Sequence, residues 1–526
     1  MPALNITANA QLQSPLFRLP RELREQIYEA VFYYEDGLHY DYTSGKMLVQ
    51  STNREIKPIS LALSYTCKRL AEETKDVVLA ANAVTFTTGL SKNSHEDFHG
   101  LSSIAGRYNC LLTYTLIMKV ELLRHVAECV TPHILHSISR AYPDSSFYFN
   151  EPLRAAAAGR DRGCWRLQRA LGNDCAISVV GSLRDALDSA LKLADDADST
   201  KFEMAALRAF RDDASIWAKI ARGGSIWRPP FIPESLRMLL SWNIPLWAIP
   251  TEVELAPLEG YLTSPRKGVG DLNLVRRSLN TKWYFSAAAV AIQFLERFDI
   301  ACPIKKIILE ENFKSVADPQ RHMQGLVPLC NASTLIVERR FGFFTTILPL
   351  DWSGIDRSDR TLSDCIYGDD CLYAFVLWVE EMLELPRNMS IVLTGGRESL
   401  QVWEFIKQAA AMQEGMIKFL EQRKLPLPSL FEEDAYDAFQ YPLPCFLPRW
   451  FASVIRETIN GTSVLHFEDD TGDTWDVEQV VRVRHSWTVE DWREEWLRDF
   501  SQKVLTLPAT WMERLKSYEI DAAFKK

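Results

Sequence analysis

The pattern of hydrophobic and polar residues near the start of the chain predicts a helix over residues 16–31. Leu19 precedes Pro20, whose fixed φ angle and missing N–H suit the first turn of a helix. Glu22 then places a negative charge near the positive end of the helix dipole. The pattern continues for about four turns and ends near Gly37.

This helix is predicted to be amphipathic, with an apolar stripe on one side. The stripe consists of Leu23, Ile27 and Ala30 or Val31. Charged residues occupy the other side, namely Arg21, Arg24, Glu25 and Glu29. An apolar stripe with this spacing is typical of a helix that packs on a core or binds a partner.

A short hairpin and a second helix are predicted after the first helix. Residues 38–50 alternate in polarity and break at Thr43-Ser44-Gly45, a composition typical of a tight turn. After Pro58 the spacing is helical again until Asn82. The stripe of this second helix consists of Leu63, Cys67, Leu70, Thr74, Val77 and Ala81.

The next part of the chain is predicted to be helical, and the C-terminal part to contain both strands and helices. Residues 91–263 have mainly helical spacing, whereas Ile304–Glu311, a helix and Thr334–Arg340 fit one βαβ crossover. Met389–Gly396 is predicted to be a further strand, and residues 463–484 a hairpin. A helix then begins at a capping box at Thr488 and carries Trp492, Trp496, Phe500 and Val504.

Composition and charge exclude several classes of protein. The chain has 526 residues and a net charge of −10, which argues against a general nucleic-acid binder. We find neither a signal peptide nor an apolar run of the roughly 20 residues that a bilayer requires. The ten cysteines are scattered without a Cys-x-x-Cys pair, which predicts free thiols. We therefore expect an intracellular protein, cytoplasmic or nuclear, that does not bind membranes.

The two predicted N-terminal helices resemble the F-box-like domain at the N-terminus of a family of filamentous-fungal proteins. The family pattern LP-x-E-[LI]-R-x-x-[IV]-[YW] is matched by Leu19, Pro20, Glu22, Leu23, Arg24, Ile27 and Tyr28. A block at 304–340 resembles the same proteins through Val316, Ala317, Pro319, His322, Gly325, Leu326, Pro328, Cys330, Val337, Glu338, Arg339 and Arg340. The first resemblance implies docking on the adaptor subunit of a cullin-type ubiquitin ligase.

Together these observations predict an α+β fold that is predominantly helical. The expected organisation is a disordered segment at 1–15, an F-box-like domain with an inserted hairpin at 16–90, a helical region at 91–263, and a C-terminal region with a small mixed sheet at 272–526. The predicted protein-binding residues are Leu19, Pro20, Leu23, Ile27, Leu63, Cys67 and Leu70.

Three groups of residues are candidate sites for binding an ion, although for each of them a structural role is the favoured interpretation. Gly395-Gly396 lies between a strand and a helix, where backbone amides can bind an anion. Asp469, Asp470, Asp473 and Asp476 crowd one turn and could hold a cation. His125, Cys129 and His133 lie one helical turn apart. We assign no catalytic residue, cofactor or metal.

Two hypotheses about function remain. The favoured one is a non-catalytic interaction or adaptor protein, in which the F-box-like segment contacts a cullin-ligase adaptor and the remainder recruits an unknown protein. The alternative is an enzyme of unrecognised class with a site in the C-terminal α/β region.

Overall fold

The structure is a computed structural model. It describes residues 13–50, 56–91, 93–98, 101–142, 181–212, 233–262, 282–298, 303–348, 366–383, 385–425, 447–448, 450–511 and 513–514. The strands are β1 (Leu38–Asp41), β2 (Lys46–Gln50), β3 (Ile56–Pro58), β4 (Ala83–Thr87), β5 (Gly89–Leu90), β6 (Asn93–Phe98), β7 (Leu101–Ser103), β8 (Tyr284–Phe285), β9 (Lys306–Glu311), β10 (Ile336–Phe341), β11 (Ile366–Tyr367), β12 (Met389–Leu393), β13 (Leu465–Phe467) and β14 (Val504–Leu505).

Eight of these strands form a central sheet in the order β13-β12-β10-β9-β4-β1-β2-β3. Strands β1, β4, β9, β10, β12 and β13 are parallel, and β2 and β3 add an antiparallel edge. The parallel strands follow one another in space in the same order as along the chain. Because crossover connections are nearly always right-handed, this order places the connecting helices on one face of the sheet.

The helices, in chain order, are α1 (Pro15–Arg18), α2 (Arg21–Phe32), α3 (Lys68–Thr74), α4 (Val77–Ala80), α5 (Ile104–His125), α6 (Pro132–Ala141), α7 (Gly181–Ala197), α8 (Ser199–Asp212), α9 (Pro233–Ser241), α10 (Glu252–Leu262), α11 (Ala287–Leu295), α12 (Val327–Ala332), α13 (Gly368–Glu380), α14 (Arg397–Gln422), α15 (Phe451–Ile459), α16 (Val477–Val483) and α17 (Val489–Trp496). Pro319–Leu326 is a 3₁₀ helix, and Phe343–Ile347 and Leu497–Ser501 are π-helical turns.

Helices α11, α13 and α14 cover the same face of the sheet with aromatic side chains. Phe294 of α11 contacts Phe86, with ring centroids 5.4 Å apart. The Trp378 ring of α13 is tilted against the Phe341 ring at 4.4 Å, and the Trp403 ring of α14 stacks on Phe467 of β13 at 5.2 Å. This inner face is the main hydrophobic core, which runs from the N-terminal helices to α17.

A second hydrophobic core lies within the helical region. It is formed by apolar side chains of α5 to α9. Two ion pairs link α7 to the loop and 3₁₀ helix that follow β9: Arg184 contacts Asp318 at 2.9 Å, and Asp185 contacts Arg321 at 2.9 Å. The described part of residues 91–263 consists mainly of helices and also contains β6 and β7.

The predicted fold class is wrong, because the sheet is large and central. The hairpin predicted at 38–50 forms as β1 and β2, with Gly45 in the left-handed region at φ 67°. It is no isolated insertion, since β1 pairs in parallel with β4, and β4 pairs with β9. Residues 16–90 and 272–526 therefore share one sheet. The fold is α/β.

Two local predictions are also wrong. The single helix predicted after Pro58 is two short helices, and α3 starts at Lys68 because Cys67 caps it, its Sγ accepting from the Leu70 N–H. The hairpin predicted at 463–484 is a strand followed by helix α16. Asp476 caps that helix by accepting from two backbone N–H groups, at 2.9 and 3.3 Å.

Other predictions in the C-terminal part are confirmed. Strands β9, β10 and β12 occur where the apolar runs predicted them, and β10 pairs in parallel with both neighbours. The capping box at Thr488 is present, with Asp491 accepting from the Thr488 N–H at 2.7 Å. Trp492, Trp496 and Phe500 are buried as core, but Val504 is exposed and belongs to β14.

Candidate protein-interaction face

Helix α2 packs against the body of the protein through a side that carries an arginine. Pro20 occupies its N-cap position, and Arg24, Tyr28 and Phe32 recur every four residues on its buried side. The two aromatic side chains are 0% and 1% exposed, respectively, and both belong to the main core. Residues four apart share one helix face, so this buried side is continuous.

A hydrogen-bonded ion cluster centred on Glu73 of α3 neutralises the buried arginine. Arg24 donates to both carboxylate oxygens of Glu73, at 2.9 and 2.7 Å, and to the Leu19 carbonyl at 2.7 Å. The Tyr28 hydroxyl donates to the same carboxylate at 2.7 Å, and Arg69 donates to it at 2.9 Å. A bidentate guanidinium–carboxylate pair has a fixed geometry, so the cluster sets the rotation of α2 about its axis.

The pKa of Glu73 reflects this environment. Burial acts to raise it, but the hydrogen bonds from Arg24, Tyr28 and Arg69 outweigh burial and lower the pKa to about 2. Burial and the neighbouring carboxylate raise the pKa of Tyr28 to about 12. The carboxylate is therefore ionised and the phenol neutral throughout the physiological pH range.

The apolar stripe of α2 consequently faces solvent. Leu23 is 44% exposed, Ile27 38% and Val31 51%. We define these three residues as the α2 stripe. They lie at i, i+4 and i+8, on a face about 100° around the helix axis from Arg24, Tyr28 and Phe32. The stripe therefore contributes little to the core of this chain and is accessible to another molecule.

The seven predicted protein-binding residues divide into accessible and buried positions. At the start of α2, Pro20 is exposed and Leu19 half-buried, and the two predicted residues of the α2 stripe are exposed. Leu63 and Cys67 are half-buried beside the main core, whereas Leu70 is a core residue. The structure thus separates the α2 positions from Leu70, which no partner could reach in this conformation.

Exposed apolar side chains are concentrated in the N-terminal part of the chain. Of the sixteen large apolar side chains that the described residues expose, six lie between residues 23 and 65: Leu23, Ile27, Val31, Tyr33, Ile56 and Tyr65. Single exposed apolar residues are normal on a protein surface, whereas large contiguous patches are typical of interaction sites. The three residues of the α2 stripe are adjacent to one another on one helix face.

The anion-binding loop suggested by Gly395-Gly396 is occupied by the protein's own carboxylates. The Gly395 N–H donates to Glu468 at 3.1 Å, and the Gly396 N–H donates to Asp469 at 2.5 Å. A Cβ atom at Gly395 would come within 1.9 Å of an Asp469 oxygen, so a side chain there would displace that carboxylate. The candidate anion site and the acidic turn that is the candidate cation site therefore bind each other, and these groups are not available to a ligand.

The remaining acidic residues of that turn stabilise local backbone. Asp470 accepts from the Gly472 N–H at 2.9 Å, and Asp476 is the N-cap of α16. Among the residues that the structure describes, no three histidine, cysteine or acidic side chains are placed to hold a metal. That finding includes His125, Cys129 and His133.

A buried serine–histidine pair resembles the nucleophile and base of a hydrolase. Ser286 lies 2.5 Å from Nδ1 of His322, and Nε2 of the histidine lies 2.7 Å from the Ala317 carbonyl. A carbonyl oxygen accepts hydrogen bonds, so Nε2 carries the proton and Ser286 donates to Nδ1. Ser286 also caps α11 by accepting from the Ala289 N–H at 3.0 Å.

The accessibility of this pair rules out catalysis in the present conformation. Ser286 is 0% exposed and His322 1%, so no substrate could contact them. Burial lowers the pKa of His322 to about 3, which keeps the imidazole neutral. Glu338 is not its partner, because that carboxylate pairs with Lys306 at 3.0 Å and with Arg340. The pair is a structural contact between α11 and the 3₁₀ helix.

A buried ion pair completes this polar layer. Arg339 of β10 donates to Glu311 of β9 at 2.6 and 2.9 Å, and both side chains are at most 1% exposed. Glu311 also accepts from the Ala287 N–H at 3.0 Å, and Arg339 donates to the Pro319 carbonyl at 2.7 Å. Within the block at 304–340, His322 and Arg339 thus stabilise the connection between β9 and β10.

Two further observations concern the described residues as a whole. The helices in the described part of the chain lack the combination of length and apolar character that crossing a bilayer requires. Cys67, Cys129, Cys330 and Cys371 are free thiols, as the scattered cysteines predict.

Comparison with known proteins identifies no relative. No family model matches the chain, and no curated protein or solved structure does so either.

Proposed function

We propose that this protein is a non-catalytic interaction protein whose α2 stripe docks on a partner, the adaptor subunit of a cullin-type ubiquitin ligase. The α/β body would then recruit a second protein, inside the cell, in the cytoplasm or nucleus. The observation that carries the proposal is the exposure of Leu23, Ile27 and Val31 on a helix whose neighbouring face is held by the contact of Arg24 with Glu73.

The hairpin between the helices leaves this surface accessible. Strand β1 pairs with β4 within the central sheet, so the hairpin extends the sheet instead of covering α2. The residues that could have supported the enzyme alternative are not available to a substrate. The amides of Gly395 and Gly396 bind carboxylates of the same chain, and His322 is buried.

The area of the α2 stripe determines how much binding free energy must come from other contacts with the partner. Complete burial of one such aliphatic side chain stabilises by about 1.5–3 kcal/mol, and each of the three is already roughly half buried. The α2 stripe alone would therefore contribute about 3 kcal/mol, whereas a micromolar complex requires about 8 kcal/mol. Leu19 and Pro20, which lie at the start of the same helix, supply further accessible area.

The experiment is capture of the adaptor by the purified full-length chain. Leu23→Asp and Ile27→Asp should each weaken capture at least about tenfold, because an aspartate would be buried against an apolar surface. Val253→Asp is the control, since Val253 is 80% exposed on α10, far along the chain from α2. The midpoint of thermal unfolding should fall by no more than a few degrees in any of the three variants.

Two results would contradict the proposal. One is wild-type protein that does not capture the adaptor at micromolar concentration. The other is a Val253→Asp variant that loses capture to the same degree as the two α2 variants.

A further inference from the structure

A cleft of about 470 Å³ opens between α14, α16 and the π-helical turn Leu497–Ser501. Its apolar lining is Ala411, Met412, Val480 and Phe500, of which Met412 and Phe500 belong to the main core. This volume lies within the range of small-molecule sites, and single π turns are frequent at such sites. The charged side chains at its rim decide which molecules it suits.

Arg484 lies in this cleft with most of its hydrogen-bonding capacity unused, since its one side-chain hydrogen bond within the described residues runs from Nη1 to the Val480 carbonyl at 3.4 Å. Its guanidinium carbon lies 4.9 Å from the Trp487 ring and 5.6 Å from the Trp492 ring, which fixes its position. Its Nε is buried, and no acceptor among the described residues lies within hydrogen-bond distance. Its nearest carboxylate, Glu495, is 3.7 Å away, beyond a direct hydrogen bond.

The two carboxylates at the rim are already engaged by another arginine. Arg498 pairs with Glu495 and, at 3.0 Å, with Asp499. Glu495 is therefore shared between Arg498 and the more distant Arg484. This leaves Arg484 as a guanidinium whose buried N–H lacks an acceptor, and an unsatisfied buried donor is costly in free energy.

Lys503 adds a second cation at the same cleft. Its ammonium lies 5.5 Å from the Phe405 ring, and no carboxylate of the described residues is within ion-pair distance. Its side chain is exposed at the rim, so it can approach a ligand bound in the cleft. The Arg484 side chain is still 23% exposed, so an anion in the cleft can interact with its charge and with that of Lys503.

The charge balance favours a ligand with a single negative charge. Arg484, Arg498 and Lys503 face Glu495 and Asp499, so the ionised side chains of the lining carry one net positive charge. A dianion such as a phosphate monoester would meet repulsion from the two carboxylates. A planar carboxylate matches the guanidinium fork and carries one charge.

We propose that this cleft is a binding site for an organic monocarboxylate with an apolar body, which Arg484 and Lys503 hold by its carboxylate. The apolar part lies on Met412 and Phe500. Nothing in this assignment depends on the α2 stripe, so the two proposals stand or fall separately.

The probe is 3-phenylpropionate, titrated into the full-length chain by calorimetry. Ligands of this size bind with dissociation constants on the order of 1 mM when a pocket buries them well. Arg484→Met keeps the length of the side chain and removes its charge, and we expect about tenfold weaker binding. Arg482→Met is the matched control, because Arg482 is exposed on α16 and does not line the cleft.

Lys503→Met gives a second measurement that does not depend on the packing of Arg484 between two tryptophans. It should weaken binding severalfold while leaving thermal unfolding unchanged, and neutral 3-phenylpropanamide should bind far more weakly than the acid. Absence of saturable binding to wild-type protein would overturn the proposal. So would equal binding by folded Arg484→Met and Lys503→Met proteins, or inorganic phosphate binding more tightly than the carboxylate.

Discussion

Substitution of neighbouring residues on α2 tests which side of the helix supports the fold. Truncating a buried aliphatic or aromatic side chain to alanine costs about 2–5 kcal/mol. Phe32 is 1% exposed, so Phe32→Ala should cost about 3–5 kcal/mol. Ile27 is 38% exposed and packs on few neighbours, and alanine also favours helix, so Ile27→Ala should cost about 1 kcal/mol or less.

The assay is native-state hydrogen exchange of peptides that cover residues 21–32, because exchange reports the free energy of local opening. Phe32→Ala should accelerate exchange of the α2 amides by more than about tenfold, and Ile27→Ala by less than about fivefold. Thermal unfolding of the two variants should rank in the same order. If Ile27→Ala destabilised as strongly as Phe32→Ala, the orientation of α2 described here would be wrong, and the stripe would be a core element.

Two further predictions concern the polar contacts. The pKa of Glu73 is lowered from 4.5 to about 2, so its ionisation stabilises the folded state above about pH 5, and this stabilisation is lost as the pH falls towards 2. Glu73→Gln should therefore be less stable than wild type by about 2–3 kcal/mol at pH 7, in urea denaturation, and the difference should shrink at pH 3; a difference independent of pH would contradict it. Gly395→Ala should destabilise by about 1–3 kcal/mol because its Cβ would overlap Asp469, and adding Asp469→Ala should recover part of the loss; an unchanged midpoint for Gly395→Ala would refute the contact.

The sequence predicts those elements whose signal is local. Strands β9, β10 and β12 are apolar runs bounded by polar or turn residues, and the helix after Thr488 begins with a complete capping box. The parallel neighbours of a strand carry no such signal. Leu38 pairs with Val84, and Val84 with Ile307, across more than two hundred residues. A short N-terminal hairpin therefore gives no indication that it belongs to an eight-stranded sheet.

The predicted helix boundaries are wrong where a capping side chain decides them. Apolar spacing after Pro58 continues through Cys67, but its backbone is extended and its sulfur caps α3. The sequence from 477 to 483 is rich in valine, which favours a strand, yet Asp476 caps it as a helix that packs on α14. Tertiary contacts outweigh a propensity difference of a few tenths of a kcal/mol per residue.

The sequence leaves the orientation of α2 open for a related reason. Periodicity identifies an apolar stripe but does not tell whether that stripe faces the same chain or another one. The deciding partner of Arg24 is Glu73, 49 residues away, and only folding brings the two together. The sequence does contain a second stripe at four-residue spacing, formed by Arg24, Tyr28 and Phe32. Its two aromatic side chains could occupy the core in place of the three aliphatic ones, and in the structure they do.

The contacts of α2 with the rest of the chain keep its apolar stripe exposed in the folded state. Turning the helix to bury Leu23 and Ile27 would expose Tyr28 and Phe32 and would separate Arg24 from Glu73. Loss of one partner of a buried ion pair costs about 3–5 kcal/mol, more than burial of the half-exposed stripe would return. The folded chain alone therefore keeps these aliphatic side chains in water, and a second molecule that covers them adds stability that this chain cannot gain by rearranging itself.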